Sequence, residues 1–454
     1  MRIAFHGADE EVTGSCALLV ANDADGRERR ILIDCGMYQG ERLCDEKNAR
    51  VFGFDPKSLD AVFVTHAHAD HVGRLPKLIK DGYAGPITMT VPTKPLMRIV
   101  LEDAYHIMSE NAEKCGDMVL YEREDLDALE ERATVVGYHE QVSVAPGITA
   151  MFHDAGHILG SAFISIEAEG KRVVFSGDIG NDLVPILPDT EPLSRADAVV
   201  CESTYGNRIH EPPAERASKL RDAVEKTIDA GGVLLVPSFS IERTQELLYE
   251  LDLMLPSLKA EIPIFLDSPM AIRATEIYRH FQNYLRFDAP ILAEPDRDFF
   301  SFPSLRETLS VEDSKAINET KAPKIIVAGS GMMSGGRIMH HLLRYLPDPK
   351  SLLLIIGFQA IGTLGRRIYD GAKSVRIFGQ DVEVNAGVAA IGAFSAHADK
   401  DKLTRWLTPE DGVSPKKIYL VHGDPDAKEL FAAHLRGQFA TEVIVPEFQS
   451  VHEV

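Results

Sequence analysis

The chain has 454 residues, more than one ordinary hydrophobic core accommodates, so two large domains are expected. Hydrophobic residues make up 45% of it and charged residues 26%, which excludes a disordered or fibrous protein, and without a run of about 18 apolar residues no membrane association is expected. The formal net charge of −21 repels nucleic acid at long range, so such a substrate would need a basic groove or metal ions, and charge alone favours a small-molecule substrate.

The five cysteines, at positions 16, 35, 44, 115 and 201, are odd in number and form no CxxC pair. This pattern argues against a disulfide scaffold and against a zinc site built from thiolates. The first residues, Met1 to Phe5, contain one basic residue and lack the hydrophobic stretch of a secretory signal. A reducing, cytoplasmic location is therefore expected.

Short β-runs separated by turns dominate the first part of the chain. Runs rich in apolar or β-branched residues predict strands at 3–5, 16–20, 31–33, 61–64, 148–152, 162–167, 172–175 and 198–201. Periodic charged segments predict helices at 94–114 and 122–132. Further along, predicted helices at 214–230 and 241–253 alternate with predicted strands at 232–237, 262–266, 324–328 and 352–356. This alternation predicts a parallel sheet with helical crossovers, and short strands such as 417–421 then return, which indicates one domain interrupted by another.

The segment His66-Ala67-His68-Ala69-Asp70-His71 directly follows the predicted strand 61–64. Three histidines and an aspartate in so short a run are hard to explain as structure, because a buried polar cluster without partners is costly. The competing interpretation is a solvated polar turn. Imidazole and carboxylate without thiolate are the donors that zinc takes in hydrolytic sites with open positions, so the segment predicts a metal site.

One short loop has too few donors for two metal ions, so further ligands are expected at other strand ends. Three residues have that position: His157 between two β-runs, Asp178 after strand 172–175, and His422 after strand 417–421. Each of them alone is more often a capping or hydrogen-bonded residue than a ligand. Together with the histidine-rich segment, they favour a centre with two metal ions.

The order of these histidines and aspartates resembles the metallo-β-lactamase superfamily, whose fold is an αββα sandwich with metals at one edge of two sheets. The resemblance implies two zinc ions per chain, one bound by His66, His68 and His157, the other by Asp70, His71 and His422, with Asp178 bridging both. Asp34, at the end of strand 31–33, matches the first motif of the superfamily, which implies a residue that orients the ligands.

The gap between Asp178 and His422 is far longer than a plain sandwich needs, and it resembles the β-CASP branch, in which an inserted domain interrupts the fold. The expected division is 1–207 and 385–454 for the sandwich and 208–384 for the β-CASP domain. Glu202, His397 and His422 match motifs A, B and C of that branch, whose members cut RNA or DNA. A histidine in motif C favours RNA, because DNA-directed members lack it. The stretches 13–16 and 36–40 also look like the polyadenylation-type cleavage endonucleases and their compact prokaryotic relatives.

The expected catalytic groups are Asp70, Glu202 and His397. Two divalent ions about 3.5–4 Å apart share a hydroxide whose pKa falls toward neutrality, which gives a nucleophile at pH 7. The leaving oxygen then needs a proton, for which His397 is the natural donor, and a neighbouring Glu202 would raise its pKa. The competing interpretations are that His397 only precedes a helix capped by Asp399, and that Glu202 bonds the turn after its own strand.

A glycine-rich loop follows strand 324–328 and precedes a predicted helix, an arrangement whose backbone amides bind anions. The substrate-binding residues expected there and at the start of helix 241–253 are Ser330, Gly331, Ser334, Arg337 and Arg243. Many members of the family have a glycine where Glu242 stands.

The predicted function is that of a zinc-dependent ribonuclease acting on single-stranded RNA and leaving 5′-phosphate and 3′-hydroxyl ends. The compact chain favours endonucleolytic cleavage, with 5′-exonuclease activity left open, because extensions found in exonucleolytic and archaeal relatives are not present. The alternatives are a small-molecule metallohydrolase of thioesterase or lactonase type and a non-catalytic scaffold. A homodimer is compatible with the sequence.

Overall fold

The structure is a computed structural model, and it describes residues 1–39, 46–115, 119–258, 260–286, 298, 300–360, 362–409 and 412–454. Gly40, which ends the stretch 36–40, and Cys44 lie outside the described residues. Cys16, Cys35 and Cys201 are free thiols. In the described ranges, no helix combines the length and the apolar character needed to cross a membrane.

The strands in the described ranges are β1 (Arg2–Phe5), β2 (Ala17–Asn22), β3 (Glu28–Ile33), β4 (Ala61–Phe63), β5 (Ile87–Thr90), β6 (Ala133–Val136), β7 (Gln141–Ala145), β8 (Ile148–Asp154), β9 (Ala162–Ala168), β10 (Lys171–Phe175), β11 (Ala198–Glu202), β12 (Val233–Pro237), β13 (Ile264–Asp267), β14 (Leu305–Glu307), β15 (Lys324–Ala328), β16 (Leu352–Ile355), β17 (Ser374–Ile377), β18 (Gln380–Glu383), β19 (Gly387–Ala390), β20 (Lys417–Val421), β21 (Glu442–Ile444) and β22 (Val451–Glu453).

The α-helices in the same ranges are α1 (Glu46–Ala49), α2 (Ala69–Val72), α3 (Leu75–Lys80), α4 (Thr93–Cys115), α5 (Arg123–Arg132), α6 (Arg216–Ala230), α7 (Arg243–Met254), α8 (Pro269–His280), α9 (Val311–Ala316), α10 (Ile338–Tyr345), α11 (Leu364–Tyr369), α12 (Lys400–Trp406) and α13 (Pro425–Gln438).

The chain divides into two compact units. Unit 1 comprises residues 1–182, 187–209 and 397–454, and unit 2 comprises residues 183–186 and 210–396. The predicted limit 207/208 lies near the division between Ile209 and His210. The predicted limit 384/385 lies before the division between Ala396 and His397. The reason for the later division is β19, which pairs in parallel with β16 and so lies in the sheet of unit 2.

Unit 1 is an αββα sandwich, as predicted. One seven-stranded sheet has the order β22-β1-β2-β3-β4-β5-β6, and the other has the order β21-β20-β11-β10-β9-β8-β7. Apolar side chains of both sheets form one buried core, in which the rings of Phe63 and Phe152 lie 5.7 Å apart. A second core joins β9, β10, β11 and β20 to α12 and α13 through Trp406 and Phe431, while α4 contacts β5 of the first sheet. Burial of each such large side chain stabilises the unit by roughly 1.5–3 kcal/mol.

Parallel pairing brings the carboxyl ends of several strands of unit 1 to one edge. In the first sheet β3 pairs with β4 in the register Ile33 to Phe63. In the second sheet β11 lies between β10 and β20, parallel to both, with Glu202 opposite Val421. The residues that directly follow these strands therefore meet at the same edge, where the sequence predicts the metal ligands.

Unit 2 contains a six-stranded sheet of order β14-β13-β15-β12-β16-β19, and every recorded strand pair in it is parallel. A separate two-stranded antiparallel ribbon is formed by β17 and β18. The sheet's central strands are buried along their whole length and apolar apart from Lys324, as expected where helices cover both faces. Buried residues of α10, such as Leu342, pack in one core with Leu235 of β12 and Ile326 of β15. This unit has the predicted parallel sheet with helical crossovers.

Candidate metal centre

The histidine-rich segment lies at the carboxyl end of β4, where the chain passes into the single turn of α2. It packs against the backbone that follows β3, because the amide of Cys35 donates to the carbonyl of His71 and the amide of Met37 donates to that of Ala69. Gly36 makes this close approach feasible, since a Cβ atom there would lie 1.5 Å from the carbonyl oxygen of Asp70. Backbone hydrogen bonds from the segment after β3 thus hold the turn in place.

A first group of four donors surrounds His68. Its Nδ1 lies 3.1 Å from Nε2 of His66 and 3.2 Å from Nε2 of His157. Oδ2 of Asp178 is 3.5 Å from the same nitrogen atoms of His66 and His157. One donor atom from each residue falls within 4.8 Å of every other. Tetrahedral zinc with bonds of 2.0–2.1 Å keeps its ligands about 3.3 Å apart, so the spacing of this group matches a zinc coordination shell.

A second group consists of Asp70, His71 and His422. Nε2 of His422 lies 3.3 Å from Oδ2 of Asp70 and 3.3 Å from Nε2 of His71. The other carboxylate oxygen of Asp178, Oδ1, is 3.3 Å from Nε2 of His71 and 3.6 Å from Nε2 of His422. Asp178 therefore presents one oxygen to each group, which is the position of a carboxylate that bridges two cations.

The donor set fits metal cations chemically as well as by distance. His66, His157 and Asp178 are all buried, and Oδ1 of Asp178 accepts no hydrogen bond of acceptable geometry among the described residues. A buried carboxylate oxygen without a hydrogen bond is costly unless a cation contacts it. Burial raises the pKa of Asp178, but the imidazoles of His422 and His71 outweigh burial and hold this pKa well below its ordinary value. The carboxylate is thus poised as an anionic ligand.

Asp34 orients this centre from behind. Its carboxylate accepts hydrogen bonds from the amide and hydroxyl of Thr65, both at 2.8 Å, and lies 2.8 Å from Nδ1 of His71. The contact with Nδ1 leaves Nε2 of His71 directed at the donor groups. Burial lowers the pKa of His71, but Asp178 and Asp34 outweigh burial and raise it well above its ordinary value. The predicted orienting role of Asp34 agrees with this geometry.

We expect Asp34→Asn to weaken zinc binding by about 10–100-fold, the usual effect of losing a partner of a metal-bound histidine. Asparagine is the suitable replacement because Asp34 has a φ of 60°, a left-handed conformation that asparagine tolerates. Zinc affinity measured by competition with a chelator tests this. The matched control is Asp60→Asn, at the opposite end of β4, whose carboxylate binds the amide of Arg30. Equal zinc affinity in both variants would contradict the assignment.

Glu202 and His397 lie side by side at the same edge. Glu202 is fully buried and accepts a hydrogen bond from the amide of Ile179 at 2.6 Å, and its carboxylate lies 3.3 Å from Nδ1 of His397. The ring of His397 lies 4.6 Å from that of His157, measured between centroids. Burial lowers the pKa of His397, but Glu202 and Asp178 outweigh burial and raise it to about 9. A protonated imidazole next to the donor groups is suited to give up a proton.

Both competing interpretations of this pair describe real contacts. Asp399 caps α12 by accepting a hydrogen bond from the amide of Lys402, and Glu202 also accepts a long hydrogen bond, 3.4 Å, from the amide of Thr204. These contacts leave the pairing of Glu202 with His397 intact. Capping and catalysis are therefore compatible at these positions.

The predicted substrate-binding arginines have internal partners in unit 2. Arg243 is buried, and its guanidinium donates to the carboxylate of Glu246 and to the carbonyl of Phe394. Arg337 donates to Oδ1 of Asp267 at 2.7 Å and to the carbonyls of Thr308 and Leu309. The geometry gives no support to either side chain as a phosphate ligand, because the expected free guanidinium groups are neutralised by buried carboxylates.

The glycine-rich loop itself closes through Ser330, whose hydroxyl accepts a hydrogen bond from the amide of Ser334 at 3.0 Å. Gly331 is buried, and a Cβ atom there would lie 2.6 Å from the ring of Phe239. Ser334 is exposed. Of the three predicted loop residues, Ser334 is thus the exposed one, whereas Ser330 is half-buried.

We expect Arg337→Ala to lower the free energy of unfolding by about 1–3 kcal/mol, because Asp267 keeps its burial and loses a charged partner. Burial raises the pKa of Asp267, but hydrogen bonds from His341, Ser314 and Arg337 outweigh burial and lower it to about 2. The ion pair therefore stabilises the fold above about pH 4 and its contribution disappears as the pH falls toward 2. Thermal unfolding at pH 7 measures the effect, with Arg366→Ala, an exposed pair with Asp370, as control. An unchanged midpoint with a raised KM for RNA would instead favour a substrate contact.

Two hydroxyl groups that no sequence motif indicates lie at the centre. Oγ1 of Thr65 lies 3.1 Å from Nδ1 of His66, and Oγ1 of Thr204 lies 3.1 Å from Nδ1 of His422. Both hydroxyls contact the ring nitrogen that faces away from the donor groups, so they fix the orientation of the rings. Their signal in the sequence is position, since Thr65 follows a strand and directly precedes His66, while Thr204 closely follows Glu202.

Three family profiles match the chain. The profile described as metallo-beta-lactamase superfamily matches residues 10–238, the Beta-Casp domain matches residues 244–368, and the Zn-dependent metallo-hydrolase RNA specificity domain matches residues 381–446. Among solved structures, a protein of unknown function from Enterococcus faecalis V583 matches with a TM-score of 0.55 and 13% identity over 99% of both chains, a likeness in fold alone.

Several curated relatives match over most of the chain. A protein named ribonuclease TTHA0252, from Thermus thermophilus, is 41% identical over 94% of both chains. An RNase J-like protein from Methanocaldococcus jannaschii is 32% identical over 92% of both chains. The transcription termination factor FttA of Methanosarcina mazei is 33% identical over 94% of this chain and 67% of its own length. With these matches and the αββα sandwich of unit 1, the chain belongs to the metallo-β-lactamase superfamily and, within it, to the β-CASP branch.

Proposed function

We propose that this protein is a zinc-dependent ribonuclease that hydrolyses phosphodiester bonds of single-stranded RNA. The observation that carries the proposal is the position of Asp178, with one carboxylate oxygen toward each of two groups of metal donors. The 41% identity to a protein named ribonuclease, over 94% of both chains, supports RNA as the substrate. The small-molecule alternative has no comparable support.

Two zinc ions per chain are proposed at this centre. His66, His68 and His157 would hold one, Asp70, His71 and His422 the other, and Asp178 both. When bound, such ions supply a nucleophile derived from water at neutral pH and stabilise negative charge on the phosphate. The protein's own contribution is to fix the donors, with Asp34, Thr65 and Thr204 holding the far side of the rings.

His397 is proposed as the general acid. Glu202 contacts its Nδ1 and stabilises the protonated ring, so the proton for the leaving 3′-oxygen would come from the other nitrogen, Nε2. Donation there leaves a 3′-hydroxyl on one fragment and a 5′-phosphate on the other. Asp70 takes part as a ligand whose carboxylate lies beside His422. In this scheme Glu202 positions and charges His397 without touching the substrate.

For substrate binding, the proposal retains the glycine-rich loop with Ser334 as its exposed hydroxyl, and it gives Ser330 and Gly331 the task of shaping the loop. Arg243, Arg337 and Arg366 are each paired with a carboxylate, so the proposal assigns the offset of the acidic net charge to the metal centre. A substrate whose scissile phosphate contacts the metal ions satisfies this requirement.

The test is incubation of zinc-loaded protein with single-stranded RNA labelled at either end, with products separated on a gel. Internal fragments would establish endonucleolytic cleavage, and a ladder shortened from the 5′ end would establish exonucleolytic trimming. The same preparation is assayed with a thioester and a lactone. Turnover of these esters without RNA cleavage would overturn the proposal in favour of a small-molecule hydrolase. Protein carrying Asp178→Asn, purified in parallel, controls for contaminating ribonucleases.

A further inference from the structure

A second cluster of metal-binding side chains lies in unit 1 and shares no residue with the candidate metal centre. His139, in the turn between β6 and β7, His153 on β8 and Glu191 bring one donor atom each to within 4.8 Å of one another. We propose that this cluster is an additional zinc site with a structural role. The proposal does not depend on the activity of the protein.

The distances within the cluster suit a single small cation. Nε2 of His139 lies 3.2 Å from Oε1 of Glu191, and Nδ1 of His153 lies 3.7 Å from Oε2 of the same carboxylate. Ligands of tetrahedral zinc lie about 3.3 Å apart, so one of these distances is slightly shorter and the other slightly longer than the distance expected between zinc ligands. The second of them is an ion-pair distance that is too long for a good hydrogen bond.

The other atoms of the cluster are already bonded in the way that metal ligands usually are. Nε2 of His153 lies 3.0 Å from the hydroxyl of Ser165, which leaves Nδ1 as the nitrogen that faces Glu191. The ring of His153 also stacks on Phe163, with centroids 4.7 Å apart. Oε1 of Glu191 accepts a hydrogen bond from the amide of Asp154 at 3.0 Å. Such outer contacts fix the orientation of ligands before the metal arrives.

The charge balance at this place favours a cation. Glu191 lies close to Asp154, and in the part of the chain that the structure describes neither carboxylate forms an ion pair with a lysine or arginine. A divalent ion would neutralise this excess of negative charge. Without a metal ion, the two histidines neutralise this charge only when they are protonated, and protonated histidines do not bind metal ions.

A bound ion would join three segments that are distant in sequence. It would tie the β6–β7 turn and the segment containing Glu191 to the end of β8, where the backbone of Glu191 already donates to the carbonyl of Asp154. His157 follows this strand end by only a few residues. The additional site would therefore stabilise the loop that carries a ligand of the candidate metal centre.

The test counts zinc per chain by elemental analysis after dialysis against a series of zinc buffers. The proteins compared are wild type, His139→Ala and Glu191→Gln. His139 is well exposed, at 60%, so its replacement is not expected to disturb folding. Both variants should bind one zinc fewer than wild type, and the same loss should appear when each is combined with Asp178→Asn. The control is His106→Ala, which breaks an exposed pair with Glu110, 3.0 Å apart, and should lose nothing.

Equal zinc content in wild type and in both cluster variants at every free zinc concentration would overturn the proposal. Loss of one zinc from His106→Ala would also overturn it, because this loss would indicate non-specific surface binding. The test compares the zinc content of a variant with that of wild type, so its result does not depend on the number of ions that the candidate metal centre binds. Failure of RNA cleavage with the additional ion present would contradict the proposed function and leave this site standing.

Discussion

Replacing His397 by alanine is expected to lower the kcat of RNA cleavage by about 10²–10⁴-fold, the usual contribution of a general acid. The reason is that the imidazole pairs with Glu202 and lies next to the metal donors. It is itself a member of neither of the two donor groups. Zinc content and KM should therefore stay near those of wild type. Single-turnover cleavage of labelled RNA and elemental analysis of the same preparation measure these quantities.

The control for this variant is His106→Ala on α4, which removes a histidine that also pairs with a glutamate, 3.0 Å away, but at the surface. It should cleave RNA at the rate of wild type. A His397→Ala protein that keeps its rate within tenfold would refute the general-acid assignment. A protein that loses zinc together with its rate would show that His397 acts as a ligand instead.

The metal centre can be predicted from the sequence because four of its seven candidate ligands lie within six consecutive residues. His66, His68, Asp70 and His71 lie in one segment, so their convergence depends on a single turn. The distant members could be predicted because each follows an apolar strand, and parallel pairing aligns strand ends, as the register of Glu202 with Val421 illustrates. A pattern at strand ends is a local signal for a non-local site.

Some features of the fold have no local signal in the sequence. β22, at the end of the chain, is three residues long and forms by pairing with β1 at the other end. The partner of Arg337 is Asp267, seventy positions away at the end of β13, and no local pattern connects the two. The arginine that follows the glycine-rich loop binds a buried carboxylate, and the loop as an anion site stays a prediction.

Glu242 illustrates how a departure from a family pattern becomes intelligible in three dimensions. Its φ is 68°, a conformation that glycine adopts freely and that strains other residues. Here the hydroxyl of Tyr278 donates to the glutamate side chain at 2.7 Å. Burial raises the pKa of Glu242 to about 8 despite the opposing charge of Arg243. The sequence showed the exception but not the backbone conformation or the partner.

The second large effect is expected for Asp178→Asn, which should reduce RNA cleavage by about 10³-fold or more. The amide keeps the shape of the carboxylate but lacks its charge, and stabilisation of charge by metal ions contributes several kcal/mol to such reactions. Oδ2 lies 3.5 Å from His66 and His157, and Oδ1 lies 3.3 Å from His71, so one substitution disturbs both donor groups. Zinc content should fall for both ions of the centre.

Asp182→Asn is the matched control, four positions further along the same segment. Its side chain is 39% exposed and pairs with Lys402 and Arg405, so the substitution removes an ordinary ion pair. Zinc content and cleavage should stay near those of wild type, since surface ion pairs contribute about 0–1 kcal/mol. If Asp178→Asn loses one zinc while the other stays fully bound, Asp178 is a ligand of one ion. The bridge between the two groups, on which the proposed chemistry depends, would then be wrong.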